Sequence, residues 1–174
     1  MLFGKMTRPS SPQLELIPAS RDQEPLLANL LQLYIYDFSE LLALDPGADG
    51  RFAYADLPLY WSDPGRYAFL VKVDGELAGL VLVKTGSEWD VRDMAEFFVM
   101  RRYRRRGVGT SIAHEVWRYL PGPWEVRVME GNVAAWHFWE QTISSFTGLP
   151  AVPARVEQGG RIWQIFSFDS SSEE

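Results

Sequence analysis

Apolar residues recur at helical spacing in three stretches of the chain, which predicts three amphipathic α-helices. The buried positions are expected at Leu26, Leu27, Leu30, Leu31 and Tyr34, at Val108, Ile112, Val116, Tyr119 and Leu120, and at Ala135, Phe138, Trp139, Thr142 and Ile143. A further short helix is predicted over residues 38–44, where Asp45-Pro46-Gly47 would end it. The pattern therefore predicts about four helices.

Short apolar stretches bounded by turn residues predict the strands. Residues 67–73 and 76–85 are joined by Asp74-Gly75, a two-residue turn typical of an antiparallel hairpin. Further strands are predicted over 14–17, 94–100 and 124–129, and in a closing hairpin of 151–157 and 161–168 around Gly159-Gly160. The order strand, helix, strand, helix is typical of α/β proteins, whereas the hairpins need antiparallel pairs. The sheet must therefore be mixed.

The length of 174 residues fits one domain, which we place at 14–168. Residues 1–13 are predicted to be a mobile N-terminal segment, and 169–174 a disordered acidic tail. Between the predicted helices and strands, residues 45–65 are rich in proline and glycine and show no clean period. We expect a long ordered loop there, with helical turns as an option. Long loops inside compact domains are often functional.

Composition excludes several kinds of chemistry. The chain has no cysteine, which removes disulfides, thiolate nucleophiles and thiolate zinc sites, and its two histidines do not favour a His-rich metal site. We therefore expect no metal. The first residues lack the apolar core of a secretory signal, and no segment approaches the roughly 20 apolar residues that span a bilayer. We expect a soluble, cytoplasmic protein without membrane partners.

The charge is acidic overall but unevenly placed. Seventeen basic against 23 acidic residues give a net charge of −6, which disfavours bulk binding of nucleic acid. Five arginines, however, fall within residues 101–106. A basic cluster in an acidic protein indicates a local anion site.

The arginines lead from the predicted strand 94–100 into Gly107-Val108-Gly109 and a helix. The start of a helix has unpaired backbone N–H groups and the positive end of the macrodipole, so it attracts anions. The two glycines would let a phosphate approach, Thr110 adds a hydroxyl, and Arg104 to Arg106 add charge. A glycine-rich turn beside a solvated basic face, or an RNA-binding arginine run, remain alternatives. The segment matches neither the P-loop pattern nor the dinucleotide-binding pattern.

Two motifs, taken in order, resemble the GNAT superfamily of N-acetyltransferases. The first, Gln or Arg followed by two residues, Gly, one residue and Gly or Ala, is present as Arg104 to Gly109 and is preceded by Tyr103. The second is Asn, Ala, Phe or Leu and an aromatic residue at fixed spacing, present as Asn132, Ala135, Phe138 and Trp139. The likeness is close over residues 94–143, and the order of elements extends it to roughly 14–168.

This resemblance implies a mostly antiparallel, twisted sheet, with a splay between strands 94–100 and 124–129 that forms an acetyl-CoA cleft. The backbone of Val99 and Met100 would pair with the pantetheine arm like an added strand. The turn before the helix would hold the pyrophosphate, and Asn132 would reach the arm from the other side or serve only as a helix cap. The residues so assigned are Phe98, Val99, Met100, Arg104, Arg105, Arg106, Gly107, Val108, Gly109, Thr110, Asn132, Ala135, Phe138 and Trp139.

In this family an amine attacks the thioester directly, so the enzyme needs a base but no covalent nucleophile. Glu96 is our candidate base, with Asp93 as its rival; each could instead be a carboxylate that faces solvent. The family's usual proton donor is a tyrosine where this chain has Trp139, and an indole N–H cannot do that job. Tyr103, His137 or water could replace it, or CoA could leave as the thiolate.

The amine acceptor is expected to meet residues 34–66, which combine aromatic side chains with an excess of acids. We name Tyr34, Asp37, Phe38 and Glu40 as candidate acceptor residues. Aromatic faces and negative charge favour a small cationic amine, with a protein amine as a second option. A solvated surface over an aromatic core would show the same excess.

Three functions remain open at this level. The first is an acetyl-CoA-dependent N-acetyltransferase. The second is an acyl-CoA-binding module without catalysis, for which Trp139 is the main argument. The third and most remote is a nucleic-acid-binding domain that uses Arg101 to Arg106. A homodimer is an open option for any of them.

Overall fold

A computed structural model describes residues 11–86 and 90–171. Within this part of the chain, seven strands form one mixed sheet. They are β1 (Leu14–Pro18), β2 (Arg66–Val73), β3 (Glu76–Thr85), β4 (Arg92–Val99), β5 (Pro123–Met129), β6 (Ala154–Gln158) and β7 (Arg161–Asp169). Their order across the sheet is β1-β2-β3-β4-β5-β7-β6. All neighbours are antiparallel except β4 and β5.

Three α-helices flank this sheet in the described residues: α1 (Glu24–Phe38), α2 (Val108–Tyr119) and α3 (Val133–Thr147). Short 3₁₀ turns lie at Arg21–Gln23, Leu57–Trp61 and Arg101–Tyr103. We predicted a short helix over 38–44, but Phe38 is the last residue of α1 and residues 39–44 form turns and irregular structure. The apolar side chains of Leu41 and Leu44 stay exposed, so burial of a helical face provides no stabilisation there.

The hairpin signals act as predicted. Asp74 and Gly75 have φ of 52° and 81°, so both central residues of the turn are left-handed, as in the turn type that matches strand twist. Gly159 and Gly160, with φ of 62° and 71°, close the β6–β7 hairpin in the same way.

The two faces of the sheet bury separate cores. On one face, which we call the α1 face, Leu27, Leu30 and Leu31 pack over β2, β3 and β4. On the other, the α2/α3 face, Ile112, Trp117 and Trp139 pack over β2, β3, β5 and β7. Each helix therefore joins the sheet through most of the apolar stripe that its sequence predicts. The exception is Tyr119 at the end of α2, which we expected to be buried and which is 57% exposed, with only an edge contact to the ring of Phe69.

The parallel pair β4–β5 opens almost at once. In the described chain the two strands pair only at Arg92 with Trp124 and at Asp93 with Glu125. Beyond these residues they diverge toward their carboxyl ends, which leaves one edge of each strand without a strand partner. The mixed sheet with a central splay is thus confirmed.

The predicted ends of the domain are partly outside the described residues. The structure describes only residues 11–13 of the predicted mobile segment, and there the backbone N–H of Gln13 donates to Asp74 Oδ1 at 2.9 Å. At the other end Ser170 is buried, and its hydroxyl donates to the carbonyl oxygen of Trp117 at 3.2 Å. The tail therefore stays a prediction for residues 172–174, which lie outside the described chain.

Candidate active site

A cleft of about 1950 Å³ opens where β4 and β5 diverge. Its walls come from α1, the loop before the 3₁₀ turn at 57–61, β4, the start of α2, α3 and the β5–β7 region. The predicted site residues that line it are Tyr34, Asp37, Phe38, Asp93, Glu96, Phe98, Val99, Arg104, Arg105, Gly107, Gly109, Thr110, Asn132, Ala135, Phe138 and Trp139. One opening therefore joins the predicted CoA side and the predicted acceptor side.

Both candidate bases lie on the α1 face of β4. In the β3–β4 pair, Leu82 lies opposite Glu96, and Lys84 lies opposite Asp93. Two steps along β3 therefore correspond to three steps along β4. The additional residue in β4 makes a β-bulge. Without the bulge, an odd spacing would put the two carboxylates on opposite faces. The bulge brings them to the same side of the cleft.

Glu96 is held in a desolvated, hydrogen-bonded position. The hydroxyl of Tyr54 donates to its Oε1 at 3.1 Å. Burial raises the pKa of the Glu96 carboxyl, while the hydroxyl groups of Tyr34 and Tyr54 pull it part of the way back. A carboxylate with a raised pKa is a stronger base than one in water, so Glu96 suits removal of a proton from an amine.

Asp93 has a different neighbourhood. Burial raises the pKa of its carboxyl, and the positive charges of Lys84 and Arg127 oppose that rise. The Lys84 Nζ lies 3.8 Å from Asp93 Oδ2. Asp93 therefore has a lysine as an ionic partner, whereas Glu96 accepts hydrogen bonds from neutral tyrosine hydroxyls.

The turn before α2 has the backbone that an anion site needs. Arg105 and Gly107 have positive φ, at 60° and 74°, and Gly107 is the N-terminal cap residue of α2. The first turn of α2 contains no acidic side chain. A Cβ at Gly107 would meet no described atom within 4 Å, so the turn is open to the cleft. Backbone N–H groups and the dipole of a 12-residue helix together favour an anion here.

Gly109 has another role. A Cβ at this position would lie 3.0 Å from the ring of Phe138. The absence of a side chain therefore lets α3 approach α2 at the floor of the cleft. The hydroxyl of Thr110 likewise lies 3.0 Å from that of Thr142 on α3, so it has a partner within the protein.

Asp37 at the end of α1 joins two of the arginines. Its Oδ1 accepts from Arg101 Nη2 at 2.6 Å, and its Oδ2 accepts from Arg104 Nη2 at 2.6 Å. The Nε of Arg104 also donates to the carbonyl oxygen of Val99 at 2.7 Å. The Asp37 carboxylate, which we predicted to attract an amine, is thus paired with two guanidinium groups. These ion pairs connect α1 to the segment before α2.

Asp37 is expected to stabilise the fold most at neutral pH. Burial alone would raise the pKa of its carboxyl, but the hydrogen bonds from Arg104 and Arg101 outweigh that effect and lower it. A lowered pKa gives stability that is present above the unfolded value and lost as the pH falls through the folded value. Because both arginines are largely exposed and solvent screens the pairs, Asp37→Asn should therefore lower the free energy of unfolding by about 0.5–1 kcal/mol at pH 7. Urea unfolding measures this difference in stability between the wild type and the variant. The difference should shrink below pH ~4, because Asp37 then becomes protonated in the wild type.

The matched control is Asp45→Asn, at an exposed acidic position, which should change stability little at either pH. Equal losses at neutral and acid pH for Asp37→Asn would mean that the ion pairs are not the source of the stability.

On α3, the side chain of Asn132 acts as a helix cap. Its Oδ1 accepts from the backbone N–H of Ala135 at 3.1 Å. Trp139 is buried and packs edge-on against Phe97, with ring centroids 4.9 Å apart. These contacts account for both residues structurally, and both still border the cleft.

Five predicted residues do not line the cleft in the described chain: Glu40, Met100, Tyr103, Arg106 and Val108. Tyr103 and Val108 are buried in the α2/α3 core, while Glu40 and Arg106 are exposed. Met100 packs between the two cores. Burial of Tyr103 in the core gives no support to its predicted role as a proton donor.

Sequence reasoning missed several lining residues. Tyr54 and Tyr60 belong to the aromatic excess of 34–66, which did not single them out. No local sequence pattern could have found Lys84, Arg127 and Trp163, because only the pairing of the β-strands brings them to the cleft.

Among the described residues no group of three or more histidines, cysteines or acids could hold a metal ion. No described helix is long and apolar enough to cross a membrane.

Comparison with known proteins identifies the fold and the family. A family model described as the acetyltransferase (GNAT) family matches residues 32–143. Comparison with curated proteins gives no significant match.

Solved structures with the same fold include three acetyltransferases of low sequence identity. An acetyltransferase from Thermus thermophilus has a TM-score of 0.66 at 21% identity, covering 90% of this chain and 96% of its own. The spermidine N-acetyltransferase from Vibrio cholerae, in complex with CoA and spermine, has a TM-score of 0.63 at 15% identity. The alignment covers 91% of this chain and 96% of that protein. The ribosomal-protein-S18-alanine N-acetyltransferase from Escherichia coli has a TM-score of 0.59 at 14% identity. The alignment covers 93% of this chain and 97% of that protein.

Proposed function

Because this chain belongs to the GNAT family of acetyltransferases, we propose that it moves an acetyl group from acetyl-CoA to a primary amine, with Glu96 as the base. The observation that carries the proposal is the position of Glu96. It lies on the strand that borders the splay, in the cleft, with a raised pKa and a neutral hydrogen-bond donor. Direct attack of the amine on the thioester needs no enzyme nucleophile, which fits a chain without cysteine.

The CoA side of the proposal rests on the turn before α2. Acetyl-CoA would supply the activated acyl group and an anionic pyrophosphate. Open space at Gly107, the N-terminus of α2 and the exposed Arg105 suit that anion. The open edge of β4 at Val99 would pair with the pantetheine arm. Met100, which we also predicted for this role, does not suit it, because its N–H donates to the carbonyl oxygen of Ala78 at 2.7 Å and its carbonyl oxygen accepts from the N–H of Tyr103 at 2.9 Å. The Val99 carbonyl oxygen already accepts from Arg104, but it has a second lone pair for a ligand.

For the acceptor we propose a small cationic amine first and a protein amine second. Asp93 and Glu96 share one wall of the cleft with tyrosine side chains, which would attract a positive charge. Asp37 contributes less than its sequence suggests, because two arginines neutralise it, and Glu40 lies outside the cleft. The proteins of the same fold include one named for spermidine and one named for a ribosomal-protein alanine, so the fold accommodates both classes.

A second candidate is a module that binds acyl-CoA without transfer. The buried indole of Trp139, at the position of the family's usual tyrosine, favours it, since the described cleft has no hydroxyl there. The remote nucleic-acid reading loses support from the ion pairs of Arg101 and Arg104 with Asp37.

The test is release of free thiol from acetyl-CoA with matched polyamine, neutral amine, anionic amino-acid and short-peptide acceptors at two ionic strengths. We expect amine-dependent thiol release, fastest with the cationic class and slowed by salt. Thiol release that no acceptor increases, together with a Tm that CoA still raises, would favour the binding module. Faster reaction of the anionic class would overturn the acceptor proposal alone.

A further inference from the structure

The loop before the 3₁₀ turn at 57–61 places a side chain on the proposed base. Tyr54 is half-buried in the α1-face core, and its hydroxyl donates to Glu96 Oε1 at 3.1 Å across 42 positions of sequence. Because these residues are distant in sequence, the hydrogen bond needs a loop whose position relative to the sheet is fixed by other contacts.

Gln32 of α1 provides that hold. Its Nε2 donates to the carbonyl oxygen of Phe52 at 2.9 Å, and its Oε1 accepts from the Phe52 N–H at 2.8 Å. The side-chain amide thus satisfies both backbone groups of one loop residue, as a neighbouring strand would. The N–H and the carbonyl group of Phe52 belong to the two peptide units on either side of its Cα, so the two bonds fix both units, and Tyr54 follows two residues later.

The titratable groups that face Glu96 come from every element around it. Tyr34 lies on α1, Tyr54 on the loop, Lys84 on β3 and Asp93 on β4. Tyr60 of the 3₁₀ turn is also close, since burial and the negative charge of Glu96 contribute to raising its pKa to about 12. Two of these groups act on the carboxylate as hydrogen-bond donors: the hydroxyl of Tyr34, which lowers the pKa of Glu96 from α1, and that of Tyr54, which lies 3.1 Å from Glu96 Oε1 and comes from the loop.

On the basis of the proposed function, we infer that Tyr54 is a positioning residue that holds and orients the Glu96 carboxylate, and that Gln32 fixes Tyr54 through Phe52. A phenol O–H stabilises a carboxylate, and it loses that interaction when the carboxylate takes up a proton. The loop therefore sets the lower end of the pH range in which the enzyme works.

The first variant is Tyr54→Phe, which keeps the ring and removes the hydroxyl. Loss of the donor raises the pKa of Glu96, so the acidic limb of the rate profile should move up by about 0.5–1 pH unit. On that limb kcat/KM should fall about 3–10-fold, with less than about a two-fold change at high pH. Gln32→Leu should shift the limb in the same direction. Tyr36→Phe, on the exposed face of α1, is the matched control and should leave the profile unchanged.

The pKa of Glu96 can also be followed without turnover, by NMR titration of the ¹³C-labelled carboxyl group in wild type and Tyr54→Phe. An equal loss of rate at every pH, or an unshifted titration, would overturn the inference. Full activity of Glu96→Gln would instead overturn the assignment of the base. The two failures are therefore distinguishable.

Discussion

Replacement of Glu96 by glutamine is expected to lower kcat by about 10²–10⁴-fold at neutral pH. The amide has nearly the same shape, and it cannot accept the amine proton. Because Glu96 lies on the α1 face of β4 and the turn before α2 is untouched, the increase in Tm caused by CoA should stay as in wild type. Steady-state kinetics with the best acceptor and a thermal melt with and without CoA measure the two effects.

Asp93→Asn is the matched control for this variant, because it removes a half-buried carboxylate from the same wall of the cleft. Its loss of rate should be much smaller. A large loss in Asp93→Asn with near-normal rates in Glu96→Gln would transfer the role of base to Asp93.

The same variant has a predicted effect on stability. Burial raises the pKa of Glu96, so the folded state favours the protonated acid. The stability that this gives is present below the unfolded pKa and lost as the pH rises through the folded pKa. Glutamine does not ionise. Glu96→Gln should therefore unfold at the same or a higher temperature than wild type at pH 8 while being almost inactive.

Gly107→Asp should abolish the stabilisation of the fold by CoA. For the wild type, a ligand at 100 times its dissociation constant adds about 2.7 kcal/mol. The substitution places a negative charge at the open N-terminus of α2, where the pyrophosphate is proposed to bind. Aspartate tolerates left-handed backbone better than most residues and is a favoured helix cap, so the protein should still fold. Thermal melts over a range of CoA concentrations test this.

Gly50→Asp controls for backbone strain. Gly50 also has φ of 74°, and a Cβ there meets no described atom within 4 Å. It lies in the exposed part of the loop before β2, so this variant should keep the full CoA response. An unchanged response in Gly107→Asp would place the CoA site elsewhere, and a lost response in Gly50→Asp would show a general effect of strain.

Local signals in the sequence are enough for much of the fold. Asp74-Gly75 sets a hairpin through its own backbone preferences, and the apolar stripes of α1 and α2 identify the faces that they bury. The turn at Gly107 is also local, because its positive φ and the helix start belong to neighbouring residues.

The arrangement of the site depends on register and on distant contacts, which no local pattern encodes. The bulge that turns Asp93 and Glu96 to one face appears only when β4 is paired with β3. Tyr54 and Gln32 meet their partners 42 and 20 positions away. Asp37 looked like a free acid because its arginines lie more than 60 positions downstream.

If the proposed sites are right, the Asp37 bridge links the two proposed substrates thermodynamically. Arg104 contacts both the last turn of α1 and the carbonyl oxygen of Val99, where the pantetheine arm is proposed to pair. A bound nucleotide that drew Arg104 toward its pyrophosphate would leave more negative charge at Asp37, on the helix that lines the proposed acceptor side. By reciprocity, an amine that moves α1 must change the affinity for the nucleotide by the same factor.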